Sequence, residues 1–398
     1  MKLFLIVDDY MPHSVKIAAK MMHDLALEFL AMGHEVTVLT PDSTIKRSFE
    51  FGNIDGINLV YFKSGKIKNI SRAQRAVNES LLSVNAWERT KNYLKSNRHD
   101  AIIYYSPTIF WGPLAKKLKK LWGAKSYLIL RDIFPQWTID NGLLSKRSLA
   151  YSYFKYFERI NYKNADKIGV MSPSNLALFQ ASKKDISKFE VLFNWAKIGE
   201  HNSNNSQFRK QLHLEGKIVF FYGGNIGHAQ NMLNLIQLAT KLKDNPRAHF
   251  LFVGKGDEKD LMLNEKEKHQ LTNITYLPPV DQKTYFEMLN EFDIGLFSLH
   301  PDHKTHNFPG KILGYMEYSK PILGSVNVGN DLKEIVNKAE AGYIFDTGDN
   351  NALYESAIEL INSEVLRKNM GENAKKLLIN NFSVEQACTQ ILNSLQFT

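Results

Sequence analysis

Residues 218–233, IVFFYGGNIGHAQNML, join an apolar run, a glycine pair and a renewed apolar periodicity. The run up to Tyr222 predicts a buried strand, which we expect to break at Gly223 and Gly224 before a helix pattern resumes at Met232. A strand, a glycine turn and a helix aim unpaired backbone N–H groups and a positive helix end at an anion. The stretch therefore predicts a site for a nucleotide diphosphate. The alternative is an ordinary strand-to-helix turn of an α/β sheet.

A second group of reactive side chains follows short apolar runs in the first half of the chain. Asp8 follows LFLIV, and polar residues also follow the predicted strands 101–105 and 126–130. Ligands of open α/β sheets gather at the carboxyl ends of the strands. We expect a ligand site there, lined by Asp8, Asp9, His13, Ser14, Arg131 and Asp132. The alternatives are that Asp8 caps the following loop and that Asp132 is a helix N-cap.

Alternating strand and helix patterns position both groups. They predict an α/β fold with two Rossmann-like β/α/β domains that face each other across a cleft. The polar stretch 199–209, GEHNSNNSQFR, is interpreted as the linker. We expect domains at 1–198 and 199–382, with a last helix near 383–398 that packs back on the first domain.

Length and composition fit a two-domain globular protein. The chain has 398 residues, of which 44% are hydrophobic and 23% charged. No window of 18 uninterrupted apolar residues predicts a membrane-spanning helix. The start MKLFLIVDDY is interpreted as a strand and not as a signal peptide, because two aspartates interrupt its apolar run. The single cysteine, Cys388, agrees with a reducing cytoplasm.

Positive charge is concentrated in the first half. Residues 1–180 hold 26 Lys and Arg against 15 Asp and Glu, and the remainder holds 24 against 26. The first half therefore favours an anionic partner. The segment 146–163, with six aromatic residues among five cations, is a candidate for contact with a membrane surface; burial of its aromatic residues is the alternative. In 114–122, LAKKLKKLW, the apolar stripe is expected to pack on the sheet while the lysines face solvent or anionic lipid.

Several motifs over nearly the whole chain resemble the GT-B glycosyltransferases, in particular the large retaining family 4. In chain order they are GHEVTVLT, VLFNW, YGGNIG, FVGKGDE, YLPPV and FPGKILGYMEYSKPILGS. RDIFPQW, NFPGKILGYM and GSVNVGNDL are similar to a narrower group, the bacterial N-acetyl-L-fucosaminyl transferases of O-antigen and capsule synthesis. The resemblance implies the GT-B fold and retaining sugar transfer from a UDP-sugar.

The resemblance also implies a donor site, from which this chain departs in its charged residues. Asn225 stands where the family has a diphosphate-binding Arg, and Gln230 stands close to its Lys. Lys311 is the candidate for the missing charge; the alternative is a solvated lysine at a helix start. The family's paired glutamates fall on His306 and Gly314, so ribose recognition is absent or has moved to Glu317 or Asp331. The implied donor-binding residues are Gly223, Gly224, Asn225, Gln230, Gly254, Pro279, Val280, Tyr285, Lys311, Asn327, Gly329 and Asn330. For Tyr285 a core position is the alternative.

The implied reaction is front-face attack with retention, in which the departing phosphate takes the acceptor's proton. Catalytic roles are expected for Arg131, Asp132, His306 and Lys311. The sequence has no Asp-x-Asp and no metal-ligand spacing, so we expect no metal and no cofactor beyond the UDP-sugar. The expected acceptor is a polyprenyl-diphosphate-linked saccharide, met by a cytoplasmic protein at the inner face of the membrane. A sugar-nucleotide epimerase of the same fold and a basic nucleic-acid-binding protein are the alternatives; the lack of clustered arginines speaks against the latter, and we expect no nucleic-acid partner.

Overall fold

A computed structural model describes residues 1–14, 17–67, 70–140, 144–181, 185–199, 207–302 and 310–395. The chain forms two compact units. The first unit comprises Met1–Lys197 together with Val384–Thr398, and the second comprises Ile198–Ser383.

The first unit is built on an eight-stranded sheet of order β3-β4-β2-β1-β5-β6-β7-β8. Its strands are β1 Lys2–Ile6, β2 Glu35–Asp42, β3 Phe49–Ile54, β4 Ile57–Lys63, β5 Ala101–Ser106, β6 Lys125–Leu130, β7 Lys167–Val170 and β8 Phe189–Val191. Neighbouring strands pair in parallel except β3 and β4, which form an antiparallel hairpin at the edge. The helices are α1 Ile17–Ala31, α2 Arg72–Ser80, α3 Leu82–Ser96, α4 Gly112–Trp122, α5 Gln136–Asp140, α6 Leu149–Asn164 and α7 Pro173–Ala181.

Alternation along the strands gives this sheet a core on each face. In β1, Leu3 and Leu5 join the core that α1 covers, whereas Phe4 and Ile6 join the core under α3 and α4. Successive side chains of a strand point to opposite faces, and a parallel sheet must be covered on both. The near-continuous apolar run of β1 follows from that requirement.

The second unit has a six-stranded sheet of order β11-β10-β9-β12-β13-β14 in which every pairing is parallel. Its strands are β9 Ile218–Asn225, β10 Ala248–Lys255, β11 Ile274–Leu277, β12 Ile294–Ser298, β13 Ile322–Val326 and β14 Gly342–Asp346. The helices are α8 Gln207–Gln211, α9 Met232–Lys241, α10 Lys259–Lys268, α11 Gln282–Glu291, α12 Gly310–Glu317, α13 Asp331–Lys338, α14 Asn350–Asn362 and α15 Glu364–Leu377. The last helix, α16 Val384–Leu395, returns to the first unit and packs on α1.

Several elements differ from the sequence expectations. The expected break at Gly223 and Gly224 was wrong, because β9 continues beside β10 through Asn225. The sequence predicts one long helix over 76–95, whereas the structure has two helices there, α2 and α3. The sequence also predicts a strand over 274–280, of which β11 covers only the part up to Leu277. The hairpin strand β3, helix α13 and strand β14 had no predicted counterpart.

In the described part of the chain, no helix is both long enough and apolar enough to span a membrane.

Candidate functional site

The glycines at the end of β9 permit unusually close packing. A Cβ at Gly223 would overlap the Tyr285 ring, and a Cβ at Gly254 of β10 would overlap the carbonyl oxygen of Gly224. Gly224 has φ +125°, a backbone conformation that side chains rarely adopt. The pairing of β9 with β12 ends at Phe221, four residues before its pairing with β10 ends. The last residues of β9 therefore leave one edge without a neighbouring strand.

Lys311 lies beside that edge. Its Nζ is 3.7 Å from the centroid of the Tyr222 ring, and a Cβ at Gly224 would lie 3.8 Å from it. The ammonium is buried and makes no hydrogen bond among the described residues. Burial lowers the pKa of Lys311 from 10.5 to about 7. A buried cation that, among the described residues, contacts an aromatic face and has no hydrogen-bond partner is suited to receive an anion.

The two amide side chains at the expected Arg and Lys positions bind each other. Asn225 Nδ2 donates to Gln230 Oε1 across 2.7 Å, and this pair is exposed. Lys255 lies opposite Asn225 in the parallel register of β9 and β10, and it is exposed. The sequence analysis missed Lys255, although the VGKGDE motif that contains it was singled out for its glycines.

Internal carboxylates occupy the backbone donors at the start of α9. Glu258 Oε2 accepts from the amide of Met232 at 3.2 Å, and Asp257 Oδ1 accepts from the amide of His228 at 3.3 Å. Glu258 Oε1 also contacts His228 Nδ1 at 3.1 Å. An anion at this turn would thus meet two fixed negative charges. The geometry favours the Lys311 side of β9, and not the helix start, for a diphosphate.

Tyr285 and the segment after β11 border the same end of the sheet. Tyr285 is half-buried against Phe221, with ring centroids 5.6 Å apart, and burial raises its pKa well above the ordinary value. Its contact with Gly223 gives it a packing role. Pro279 is exposed and Val280 is half-buried just before α11, where they are free to meet a planar ring.

The loop between β13 and α13 is held by its own asparagines. Asn330 Oδ1 caps α13 by accepting from the Leu332 amide at 3.0 Å, and Asn330 Nδ2 donates to Asn327 Oδ1 at 3.1 Å. Both asparagines are buried, whereas Gly329 is exposed with φ +81°. The backbone of this loop, and not the asparagine side chains, is available to a ligand.

The positions of the family's paired glutamates carry no free acid in the described residues. His306 lies outside the residues that the structure describes. A Cβ at Gly314 would lie 3.5 Å from Leu289 on α11. Glu317 is buried, and its Oε1 accepts from the Gly199 amide at 2.9 Å. Within the described ranges, no three His, Cys, Asp or Glu side chains lie close enough together to hold a metal ion.

In the first unit, the loop after β1 is fixed by two polar contacts. Ser14 Oγ donates to Asp9 Oδ2 at 2.8 Å, and His13 Nδ1 contacts Asp42 Oδ2 at 3.0 Å while its ring stacks on Tyr61. Although desolvation acts to raise it, hydrogen bonds from Thr44 and His13 lower the pKa of Asp42. His13 and Ser14 therefore shape the loop that presents Asp8 and Asp9.

Arg131 has its guanidinium inside the first unit. Nη1 and Nη2 donate to the carbonyls of Leu192 and Phe193 at 2.7 and 3.1 Å, and the guanidinium lies 5.0 Å from the centroid of the Trp195 ring. Burial lowers its pKa to about 10. These contacts tie the end of β6 to the segment after β8, which is a structural role that the sequence analysis did not assign.

Carboxylates gather at the carboxyl ends of β1, β5 and β6. Desolvation, followed by the charge of Asp8, raises the pKa of Asp132, and desolvation also raises the pKa of Glu79. Glu79 accepts from Arg75 Nε at 2.6 Å and from Thr108 Oγ1 at 3.3 Å. Arg75 and Glu79 come from α2, which begins four residues before the helix predicted over 76–95, and neither residue was a predicted site residue. We call Asp8, Glu79, Asp132 and Arg75 the acid cluster.

A cavity of about 260 Å³ opens next to this cluster. It is lined by Asp8, Asp9, Pro41, Ser43, Gly65, Lys66 and Ile67. Thr40 and Ser64, which adjoin lining residues, carry buried hydroxyls without a hydrogen-bond partner among the described residues. Buried hydroxyls of this kind are normally satisfied by water or a ligand.

Known proteins resemble this chain in sequence and in fold. Residues 203–377 match the family model described as "Glycosyl transferases group 1". The chain is 25% identical over 266 residues to the probable glycosyltransferase WbjE of Pseudomonas aeruginosa, which covers 66% of this chain and 65% of that protein. It is 30% identical over 188 residues to the putative colanic acid biosynthesis glycosyl transferase WcaI of Escherichia coli (strain K12). That match covers 45% of this chain and 46% of the relative. The chain thus spans about two thirds and about half the length of these relatives.

Among solved structures, Anabaena Alr3699/HepE in complex with UDP superposes with a TM-score of 0.68 at 15% identity, over 99% of both chains. This likeness shows the fold alone. It confirms the predicted two-domain α/β fold of the GT-B glycosyltransferases. The resemblance is therefore supported at the level of group 1 glycosyl transferases and bacterial glycosyltransferase relatives, and the narrower N-acetyl-L-fucosaminyl group stays a prediction.

Proposed function

We propose that this chain, whose residues 203–377 match the family model of the glycosyl transferases group 1, is a retaining glycosyltransferase. It transfers a sugar, for which N-acetyl-L-fucosamine is the favoured candidate, from a UDP-sugar to a lipid-diphosphate-linked saccharide. The product is a precursor of O-antigen or capsule polysaccharide. The UDP bound to one solved structure supports the donor class, and the name of the Escherichia coli relative supports a role in polysaccharide synthesis.

The observation that carries the proposal is the buried ammonium of Lys311 beside the glycine end of β9, which has no hydrogen-bond partner in the part of the chain that the structure describes. A diphosphate against Gly224 would pair with this ammonium and raise its pKa again, because an opposite charge favours the charged form. Lys255 offers a second, exposed cation opposite Asn225. Together they replace the two cations that the family places at Asn225 and Gln230.

The proposed chemical step is front-face attack. The acceptor oxygen bonds to the anomeric carbon as the bond from that carbon to the diphosphate oxygen breaks, and the departing phosphate oxygen takes the acceptor's proton. Lys311 stabilises the charge that develops on the leaving diphosphate. Asp132 orients the acceptor, and Arg131 holds the end of β6 in place. The step uses no metal and no cofactor.

We assign the acceptor to the cavity beside Asp8 and Asp9. Carboxylates accept hydrogen bonds from sugar hydroxyls, and Lys66 supplies a cation for a diphosphate. The cavity volume of about 260 Å³ is slightly smaller than that of most ligand pockets, which is roughly 300–1,000 Å³. It suits one sugar ring better than a nucleotide. The protein then works at the inner face of the cytoplasmic membrane, where lipid-linked saccharides are built, and has no nucleic-acid partner.

A UDP-release assay with a panel of UDP-sugars and detergent extracts containing lipid-linked saccharides tests the proposal. We expect release with UDP-N-acetyl-L-fucosamine, loss of release in Lys311→Met, and retention in Lys283→Met, whose side chain is 86% exposed. No release with any member of the panel contradicts the proposal. Interconversion of the UDP-sugar without an acceptor would identify a sugar-nucleotide epimerase instead.

A further inference from the structure

The helices of the first unit carry opposite charge on the two faces of its sheet. Helices α3, α4 and α6 cover one face, α2 packs on α3, and α1 and α16 cover the other face. Helices α2, α3, α4 and α6 hold twelve Lys and Arg against three Glu, whereas α1 and α16 hold one Lys against three acids. The basic excess of the chain is therefore a property of one surface.

The same surface exposes two apolar stripes. Val77, Leu81 and Val84 run along α2 and the start of α3 and are 60%, 45% and 54% exposed. A second stripe on α6 consists of Leu149, Tyr153 and Tyr156, at 91%, 43% and 59%. The second stripe repeats at positions i, i+4 and i+7 of α6, which is one side of a helix. The first spans the junction of α2 and α3, where Leu81 lies between the two helices. Such side chains are not covered by the unit's own core.

Phe110 lies between the two stripes and contacts a residue of α3 and a residue of α6. Ser83, between Leu81 and Val84, donates through Oγ to the Phe110 carbonyl, and the Phe110 ring lies 6.3 Å from the Tyr153 ring. Between the two stripes runs α4, which packs on both α3 and α6 and exposes Lys116 and Lys117. A surface with exposed apolar side chains next to lysines binds anionic lipid, because the apolar groups insert at the interface and the lysines attract the headgroups. We name the two stripes and these lysines the docking surface.

Helix α2 connects the docking surface to the acid cluster. Its Arg75 and Glu79 contact each other, and Glu79 accepts a hydrogen bond from Thr108, just after β5. Val77 of the same helix is exposed to solvent. A helix with its side chains is about 10 Å across. The acid cluster thus lies about one helix diameter behind the docking surface.

We propose that this docking surface binds an anionic phospholipid membrane and presents the acid cluster to lipid-diphosphate acceptors embedded in it. The inference rests on the proposed function for the nature of the acceptor, and on charge and exposure for the membrane itself. A lipid-linked diphosphate stays at the headgroup level, so the short distance across α2 lets the protein reach its sugar without extracting the lipid.

Flotation with vesicles of phosphatidylglycerol and phosphatidylcholine, compared with pure phosphatidylcholine, tests the docking surface. We expect flotation with the anionic vesicles only. The quadruple substitution Leu81→Ser, Val84→Ser, Leu149→Ser and Tyr156→Ser should weaken it roughly a hundredfold, and Lys116→Glu with Lys117→Glu roughly tenfold or more. The matched control is Phe51→Ser with Val365→Ser, two exposed apolar residues that are not part of the docking surface, at 63% and 69%. All variants should keep the thermal stability of the wild type.

Transfer assays separate this inference from the proposed function. The quadruple variant should keep its rate on a water-soluble, short-chain acceptor and lose at least about tenfold on an acceptor embedded in vesicles. Flotation that the quadruple substitution leaves unchanged overturns the inference. So does a wild-type dimer that this substitution dissociates without any vesicle binding, or binding to duplex DNA in place of vesicles. Absence of UDP release by the wild type, with flotation intact, contradicts only the proposed function.

Discussion

Lys311 Nζ lies 3.7 Å from the centroid of the Tyr222 ring, with no hydrogen-bond partner among the described residues. The two residues are far apart in sequence, on the first turn of α12 and near the end of β9. The face of an aromatic ring attracts an ammonium and so offsets part of the stabilisation that the ammonium loses when it leaves water. The pair therefore holds a cation ready for an anion at little cost in rearrangement.

The first prediction is a pH dependence of UDP binding. The pKa of free Lys311 is lowered to about 7, and a bound diphosphate should raise it, so binding takes up a proton above pH 7. Affinity for UDP should fall as the pH rises from 7 to 9, with a limit of about tenfold per pH unit. Calorimetric titration in buffers of different ionisation enthalpy measures both the affinity and the proton uptake.

Substitutions assign this dependence to one residue. Lys311→Met should bind UDP weakly and without the slope, whereas Lys283→Met should match the wild type. An unchanged slope in Lys311→Met would show that another group takes the proton.

The second prediction concerns Gly224. Its φ of +125° and its contact with Lys311, whose Cε would lie 3.7 Å from a Cβ, leave no relaxed position for a branched side chain. Gly224→Val should abolish transfer. Gly348→Val is the matched control, because Gly348 has φ +112° and open space around it. Both variants should lose similar stability in urea, and only Gly224→Val should lose UDP binding. Equal activity of the two variants would exclude a diphosphate at the end of β9.

The third prediction is a gain of affinity. Asn225 is exposed and bonded to Gln230, so Asn225→Arg can project a guanidinium without burying it. The added cation should tighten UDP binding by about tenfold or leave it unchanged, since charge-assisted hydrogen bonds to phosphate are stronger than neutral ones. Asn225→Ala, which only removes the amide pair, should bind UDP slightly more weakly than the wild type. Loss of all UDP binding in Asn225→Arg would contradict the placement of the diphosphate.

The fourth prediction separates structure from catalysis at Arg131. Arg131→Met removes the two hydrogen bonds that the guanidinium donates to the carbonyls of Leu192 and Phe193. These carbonyls then lose their donors. The first unit should lose about 3 kcal/mol or more of unfolding free energy, measured in urea. The exposed Arg98→Met should change it by less than about 0.5 kcal/mol. UDP affinity, a property of the second unit, should stay that of the wild type in both variants; weaker UDP binding in Arg131→Met alone would point to direct contact with the donor.

The fifth prediction tests the acid cluster. Desolvation raises the pKa values of Glu79 and Asp132, and the charge of Arg75 opposes this shift. Arg75→Gln should raise both pKa values further, so the carboxylates protonate at higher pH. The acidic limb of kcat/KM for the acceptor should move to higher pH, while UDP affinity is unchanged. Arg98→Gln is the control, and an acidic limb that stays in place would remove these carboxylates from acceptor recognition.

Local patterns in the sequence were enough for the architecture. The period-2 and near-continuous apolar runs of β1, β5, β6, β9 and β12 and the 3.6-residue period of α1, α11 and α15 are set by neighbouring residues. The predicted division of the chain into two halves of alternating strands and helices followed from the same hydrophobic periodicities. The edge hairpin strand β3 was not predicted, because it has no strong apolar pattern of its own, and α13 and β14 were not predicted either.

At the candidate site, the sequence alone determined which residue types are present and which family cations are missing. It singled out the glycines of β9 and Lys311, because glycines after an apolar run and a lysine in a family motif are local signals. Only the tertiary structure decided their use. Strand pairing continues β9 past its glycines, and α12 places Lys311 over Tyr222. Glu258, just before α10, binds the first amide of α9, and the carbonyls of Leu192 and Phe193 after β8 bind Arg131. Each of these outcomes depends on contacts between residues distant in the chain, where burial and pairing override local preference.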